Sequence, residues 1–296
     1  MSMPLPDTWK RIHRLEIKAR HLVEQVLSGQ YMSVFKGMGL EFDEVRPYQE
    51  GDDERQIDWN VTARTGHLHI KRFVEERELS LFLVVDVSPS VYFGSQNQLK
   101  TDLILEFCAL MAFSAMRNND RVGLLTFDQE IRTFLPPKKG RRHALHILRE
   151  VMLQLSQPPE LPRSTDMAAA LRYVNHVLHR RGVIFILSDF WQTGSLFPLK
   201  VLSQRHDCIG VLPQDPLDLV LPKSGLVAVR DPESDQQRIF DFSSRRLRER
   251  YQSEQANYFQ TLKQSLRQMG VDQIVLPTET ESLVTSLLKF YRFHHR

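Results

Sequence analysis

Cysteine is scarce: Cys108 and Cys208 are the only two in 296 residues and lie far apart in the chain. That excludes a thiolate zinc cluster and argues against a disulfide framework, so a reducing compartment is expected. Also missing is any unbroken apolar stretch long enough to cross a bilayer. Residues 1–20 interleave Lys10, Arg11, Arg14 and Lys18 with apolar positions, which is not the pattern of a signal peptide. The expectation is a cytoplasmic protein without a membrane span.

Charge of one sign is missing too. Lysine and arginine number 39 against 36 acidic residues, and a net charge of +3 gives no field that would gather nucleic acid. Aromatic residues are not interleaved with basic ones in a stacking motif, so no nucleic-acid partner is expected. The chain has no Gly-rich Walker loop, no Gly-x-Ser-x-Gly elbow and no His-Glu-x-x-His.

What the chain has is apolar residues in periodic order, 42% of the total, enough for a sizeable core. Ile12, Leu15, Ala19, Leu22 and Val26 recur at helical spacing and predict an amphipathic helix over 9–27. From 30 to 78 the pattern is irregular, charge-rich and punctuated by glycine and proline, so 1–78 reads as a helix followed by a loop-rich amino-terminal region with a few short strands. From 79 onward the character changes. Residues 81–85 and 183–187 are continuous apolar runs, as expected of parallel strands covered on both faces.

Further strands are predicted at 121–127, 131–135, 207–212 and 273–276, alternating with helices over 100–117, 142–155, 167–178, 244–269 and 281–293. Residues 226–230 and 238–242 read as a hairpin inserted near 213–242. Such alternation predicts an α/β domain over 79–296, doubly wound around a mostly parallel sheet.

In such sheets ligands gather beyond the carboxyl ends of the strands where the strand order reverses. Asp86 and Asp189 each end an apolar strand, and Asp86-Val87-Ser88-Pro89-Ser90 sets oxygen-bearing side chains at alternate positions of one loop. Ser164-Thr165-Asp166, before the helix beginning near 167, offers a hydroxyl from a third loop. Two carboxylates and hydroxyls suit a hard cation such as Mg²⁺, with Mn²⁺ as a substitute, and would leave it incompletely neutralised and open to an outside carboxylate. The same residue types also favour turns and helix caps for purely local reasons.

The set Asp86, Ser88, Ser90, Thr165 and Asp189 resembles the metal-ion-dependent adhesion site of von Willebrand factor A domains. That resemblance implies that Ser88, Ser90 and Thr165 touch the metal and that Asp86 and Asp189 anchor it or its waters. Ser164 remains a rival to Thr165, since the glycine often found in that loop is absent.

A second resemblance spans nearly the whole chain. Gly37-Met38-Gly39-Leu40-Glu41-Phe42, Arg46-Pro47-Tyr48, Gly51-Asp52-Asp53-Glu54-Arg55-Gln56-Ile57-Asp58-Trp59, Ala63-Arg64 and Ser188-Asp189-Phe190 are similar to the bacterial domain-of-unknown-function family number fifty-eight. Asp215-Pro216, Leu221-Pro222 and Gly225-Leu226 match its later segment, although Asn60 stands where a basic residue is frequent. This implies partnership with a MoxR-type AAA+ ATPase and a client protein in protein maturation or complex assembly.

The expected function is therefore a non-enzymatic interaction module with Mg²⁺ as a latch for an acidic partner residue. The alternative is a metal-dependent phosphoester hydrolase. The Arg46, Asp52, Asp53, Arg55, Asp58 and Arg64 cluster is expected to pair charges that fix the amino-terminal region on the α/β domain. His67 and His69 are expected to share a strand face as a surface pair.

Overall fold

The computed structural model describes residues 40–49, 52–75, 79–96, 98–156, 164–191, 194–231, 235–279 and 283–294. The helix expected over 9–27 and the glycine-rich start of the 37–42 motif lie outside the described residues.

The first described elements are strands β1 (Leu40–Pro47) and β2 (His69–Glu75), paired antiparallel, with a short helix α1 (Trp59–Thr65) in the connection. This part is more regular than its sequence suggests. The pairing slips between Phe42 and Glu44, and such a bulge breaks the two-residue alternation by which a strand is recognised. Asp58 caps α1 by accepting the backbone N–H groups of Asn60 and Val61, and Gly66 closes it at φ 75°, in the left-handed region glycine enters freely. The Arg46 guanidinium forks onto Asp52, at 2.7 and 2.9 Å. This pair of the charge cluster lies within the amino-terminal region and braces it locally.

The main sheet has six strands in the order β10-β7-β6-β3-β4-β5. They are β3 (Ser80–Asp86), β4 (Arg121–Phe127), β5 (Ile131–Lys138), β6 (Val183–Leu187), β7 (Asp207–Gln214) and β10 (Asp272–Pro277). All pairings are parallel except that of β5 with β4, a tight antiparallel turn at the edge. The helices are α2 (Lys100–Arg117), α3 (Arg141–Leu155), α4 (Met167–Val177), α5 (Phe197–Ser203), α6 (Arg245–Gln268) and α7 (Leu283–His294). Helix α5 was not expected; at seven residues it is too short to display a helical period.

Strand β3 shows how the two layers arise. Leu81, Leu83 and Val85 point into a core shared with α2, α3 and α7, while Phe82 and Val84 enter another shared with α4, α5 and α6. Successive strand residues face opposite sides, so a strand in a doubly covered sheet must be apolar at every position. Gly123 of β4 leaves the space occupied by the Phe82 ring, since a Cβ there would fall 2.6 Å from it. The predicted hairpin is present as β8 (Leu226–Arg230) and β9 (Gln237–Asp241), which pair only with each other. This is the doubly wound, mostly parallel α/β architecture expected from the sequence. Cys108 and Cys208 are both free and buried.

Candidate metal centre

Counted from β3, the strand order runs outward one way through β4 and β5 and the other way through β6, β7 and β10. The reversal falls between β3 and β6, and the carboxyl ends of these two strands carry Asp86 and Asp189. At such a point the outgoing loops diverge and leave a crevice.

Asp86 is buried, and both its oxygens are used: Oδ1 accepts the backbone N–H of Ser88 at 2.9 Å and Oδ2 accepts the hydroxyl of Ser188 at 2.7 Å. The turn this makes brings the Ser88 and Ser90 hydroxyls within 3.1 Å of each other. After β6, Ser188 Oγ accepts the N–H of Phe190, and Asp189 Oδ1 accepts that of Trp191. Phe190 stands at φ 57°, a costly conformation for a side chain of that size. Its carbonyl accepts the Tyr258 hydroxyl of α6, and the Trp191 ring stacks on Tyr258 with centroids 4.4 Å apart. Helix α6 thus holds the loop in the shape that aims Asp189 inward.

Burial and the neighbouring Asp189 charge push the Asp86 carboxyl up to about 7, against the opposing hydrogen bonds from Ser88 and Ser188. Burial raises Asp189 as well, although the Lys100 ammonium, the Trp191 N–H and the Ser90 hydroxyl favour its charged form. Two buried carboxylates that repel one another create a demand for positive charge.

Thr165 belongs to the same edge of the sheet, because the N–H of the next residue, Asp166, bonds the carbonyl of Asp128 just beyond β4. Its hydroxyl oxygen is buried without a hydrogen-bond partner, and so is Asp189 Oδ2. Ser164, the rival, is exposed. Hydrogen bonds and charge therefore join Asp86, Ser88, Ser90 and Asp189, while Thr165 presents an unused oxygen from an adjacent loop. Among the described residues no three His, Cys, Asp or Glu side chains are grouped to hold a metal. A cation here depends on the serine and threonine hydroxyls, and the two unpartnered oxygens fit one of hard character. His67 precedes β2 rather than sharing its face, and its carbonyl bonds the His69 ring, so the expected pair is not formed.

The family described as "Protein of unknown function DUF58" matches residues 44–260. The chain belongs to that family. The uncharacterised protein Rv1480 of Mycobacterium tuberculosis is 32% identical over 279 residues, 94% of this chain and 87% of that protein. The uncharacterised protein YeaD of Bacillus subtilis is 30% identical over 109 residues, 37% of this chain and 25% of its own. Among solved structures, an aerotolerance-related membrane protein from Bacteroides fragilis is 14% identical with a TM-score of 0.45, covering 73% of this chain and 98% of that one. The SpRpn10 VWA domain is 10% identical at a TM-score of 0.40, covering 72% and 95%. Among the described residues no helix is long and apolar enough to cross a membrane.

Three further residues of this DUF58 chain complete the surroundings of the centre: Ser188, which the sequence offered only within the Ser188-Asp189-Phe190 motif and without a role, and Lys100 and Asp218, which it did not single out. The bond of Ser188 to Asp86 crosses between strands. Lys100 opens α2, where its spacing marks it as an ordinary helix residue. Asp218 follows the Asp215-Pro216 pair, and only the folded chain brings it to Lys100. Asp215 itself is fully buried and accepts from Ser95 N and Oγ, Leu217 N and Thr278 Oγ1, tying together the loops beyond β3, β7 and β10.

Proposed function

We propose that this DUF58 chain is a protein-interaction module, not an enzyme, in which Asp86, Ser88, Ser90, Thr165 and Asp189 hold Mg²⁺ and the ion binds an acidic residue of a partner. The reading is carried by one observation. Thr165 Oγ1 and Asp189 Oδ2 are buried oxygens without hydrogen-bond partners, on two of the loops beyond the sheet edge where Asp86 ends β3. Leaving a polar atom so placed costs about 1–3 kcal/mol, a penalty that a ligand removes. Bound there, Mg²⁺ would supply a hard electrophile that keeps an exchangeable position for a carboxylate. The chain's own part is to align the hydroxyls through the Ser88–Ser90 turn and to keep Asp86 oriented through Ser188.

The partner class, a MoxR-type AAA+ ATPase together with its client, follows from the family resemblance of the sequence. Phosphoester hydrolysis is the second reading, and it would require Asp86, whose carboxyl is raised to about 7, to act as general base while also holding the ion. Titration calorimetry of the chain with MgCl₂ and MnCl₂ tests the centre. Uptake of one ion, abolished in Asp86→Ala, is expected; no heat from either metal at millimolar excess overturns the proposal.

A further inference from the structure

Lys100 begins α2, where the positive end of the helix dipole disfavours a cation, and it is only 2% exposed. Nothing in local helix chemistry places a lysine there. Its ammonium lies 2.9 and 3.1 Å from the two oxygens of Asp218 and 3.8 Å from Asp189 Oδ2, with the Phe93 ring at 5.8 Å. At 3.8 Å the Asp189 contact is electrostatic only, and that oxygen keeps no hydrogen bond.

Asp218 and Asp189 set two carboxylates against this one ammonium, and Asp86 lies beside Asp189, so negative charge is left for a divalent ion to neutralise. Asp218 engages Lys100 with both oxygens and holds it back from Asp189. The ammonium is thereby kept close enough to weaken the pull of Asp189 on a cation without occupying its place.

We infer that Lys100 is the resident counter-charge of the metal centre: held by Asp218, it limits the affinity of Asp189 for the divalent ion and so leaves the bound ion electrophilic toward an outside carboxylate. The inference rests on the proposed metal centre and assigns its regulation to residues outside the ligand set. It differs from a purely structural ion pair, whose removal would lower stability without a directed change in metal affinity.

Two variants of opposite sign provide the test, with Mg²⁺ and Mn²⁺ titrated calorimetrically into the full chain and folding checked by circular dichroism. In Lys100→Met the like-charge repulsion disappears, and affinity for both ions is expected to rise about tenfold or more. In Asp218→Asn the ammonium has only Asp189 to pair with, and affinity is expected to fall about tenfold. Equal affinity in wild type and both variants overturns the role of Lys100 while leaving the centre intact. Absence of uptake in all three removes the centre and this inference together. If Lys100→Met does not fold, Asp218→Asn decides, and unchanged affinity there overturns the inference.

Discussion

Ser188 donates its hydroxyl to Asp86 Oδ2 across the boundary between two neighbouring parallel strands, which fixes the carboxylate while leaving its charge opposed by Asp189. An asparagine there keeps one oxygen to accept the Ser88 N–H and turns its NH₂ toward Ser188 Oγ, which then accepts instead of donating. Asp86→Asn should therefore retain the turn, lose metal uptake, and make the metal-free chain more stable by on the order of 1 kcal/mol at pH 8, because a disfavoured buried charge is gone. Urea unfolding in EDTA checks this, and a clear loss of stability would contradict it.

The raised Asp86 carboxyl also sets a pH dependence. Its folded pKa of about 7 lies above the value of 3.8 expected when unfolded, so the metal-free native state binds the extra proton between them. Stability without metal should be greatest near the acid end of that window and fall as pH rises toward 7. Metal must displace the proton, so Mg²⁺ affinity should increase by up to about tenfold per pH unit below 7 and level off above it. Calorimetry at pH 6 in two buffers of different ionisation heat should show proton release, and identical heats would sink the argument.

Asp215 sits at the junction of three loops, and burial, which raises its carboxyl, is outweighed by hydrogen bonds from Ser95, Leu217 and Thr278 that lower it. Asp215→Ala leaves those donors without their acceptor and should cost about 3 kcal/mol or more. A melting temperature within experimental error of wild type would refute the junction role.

In the Asp52–Trp59 motif two adjacent residues should behave oppositely. Asp58 caps α1 and is buried, so Asp58→Ala should lower stability by about 1 kcal/mol. Trp59 is 67% exposed, and Trp59→Ala should change it by no more than about 0.5 kcal/mol. Parallel thermal melts of the two variants distinguish them; equal losses would mean that the Trp59 ring packs against the fold.

Much of the architecture was legible in the order of residues. A strand covered on both faces has to be apolar throughout, so 81–85 and 183–187 disclosed their burial, and Asp86 and Asp189 stood out as the polar residues where those runs stop. The bulged pairing of β1 and the short α5 were not legible, because neither sustains a period long enough to register.

Local chemistry alone thus determined the alternating strands and helices and placed Asp86, Ser88, Ser90, Thr165 and Asp189 at loop positions after strands or before a helix. Tertiary structure decided which charges face one another. Lys100 and Asp218 are far apart along the chain, and only the parallel stacking of β3, β6 and β7 brings the loop and helix that follow them to one edge. A sequence pattern records spacing along the backbone, whereas the field at Asp189 depends on distances across the sheet.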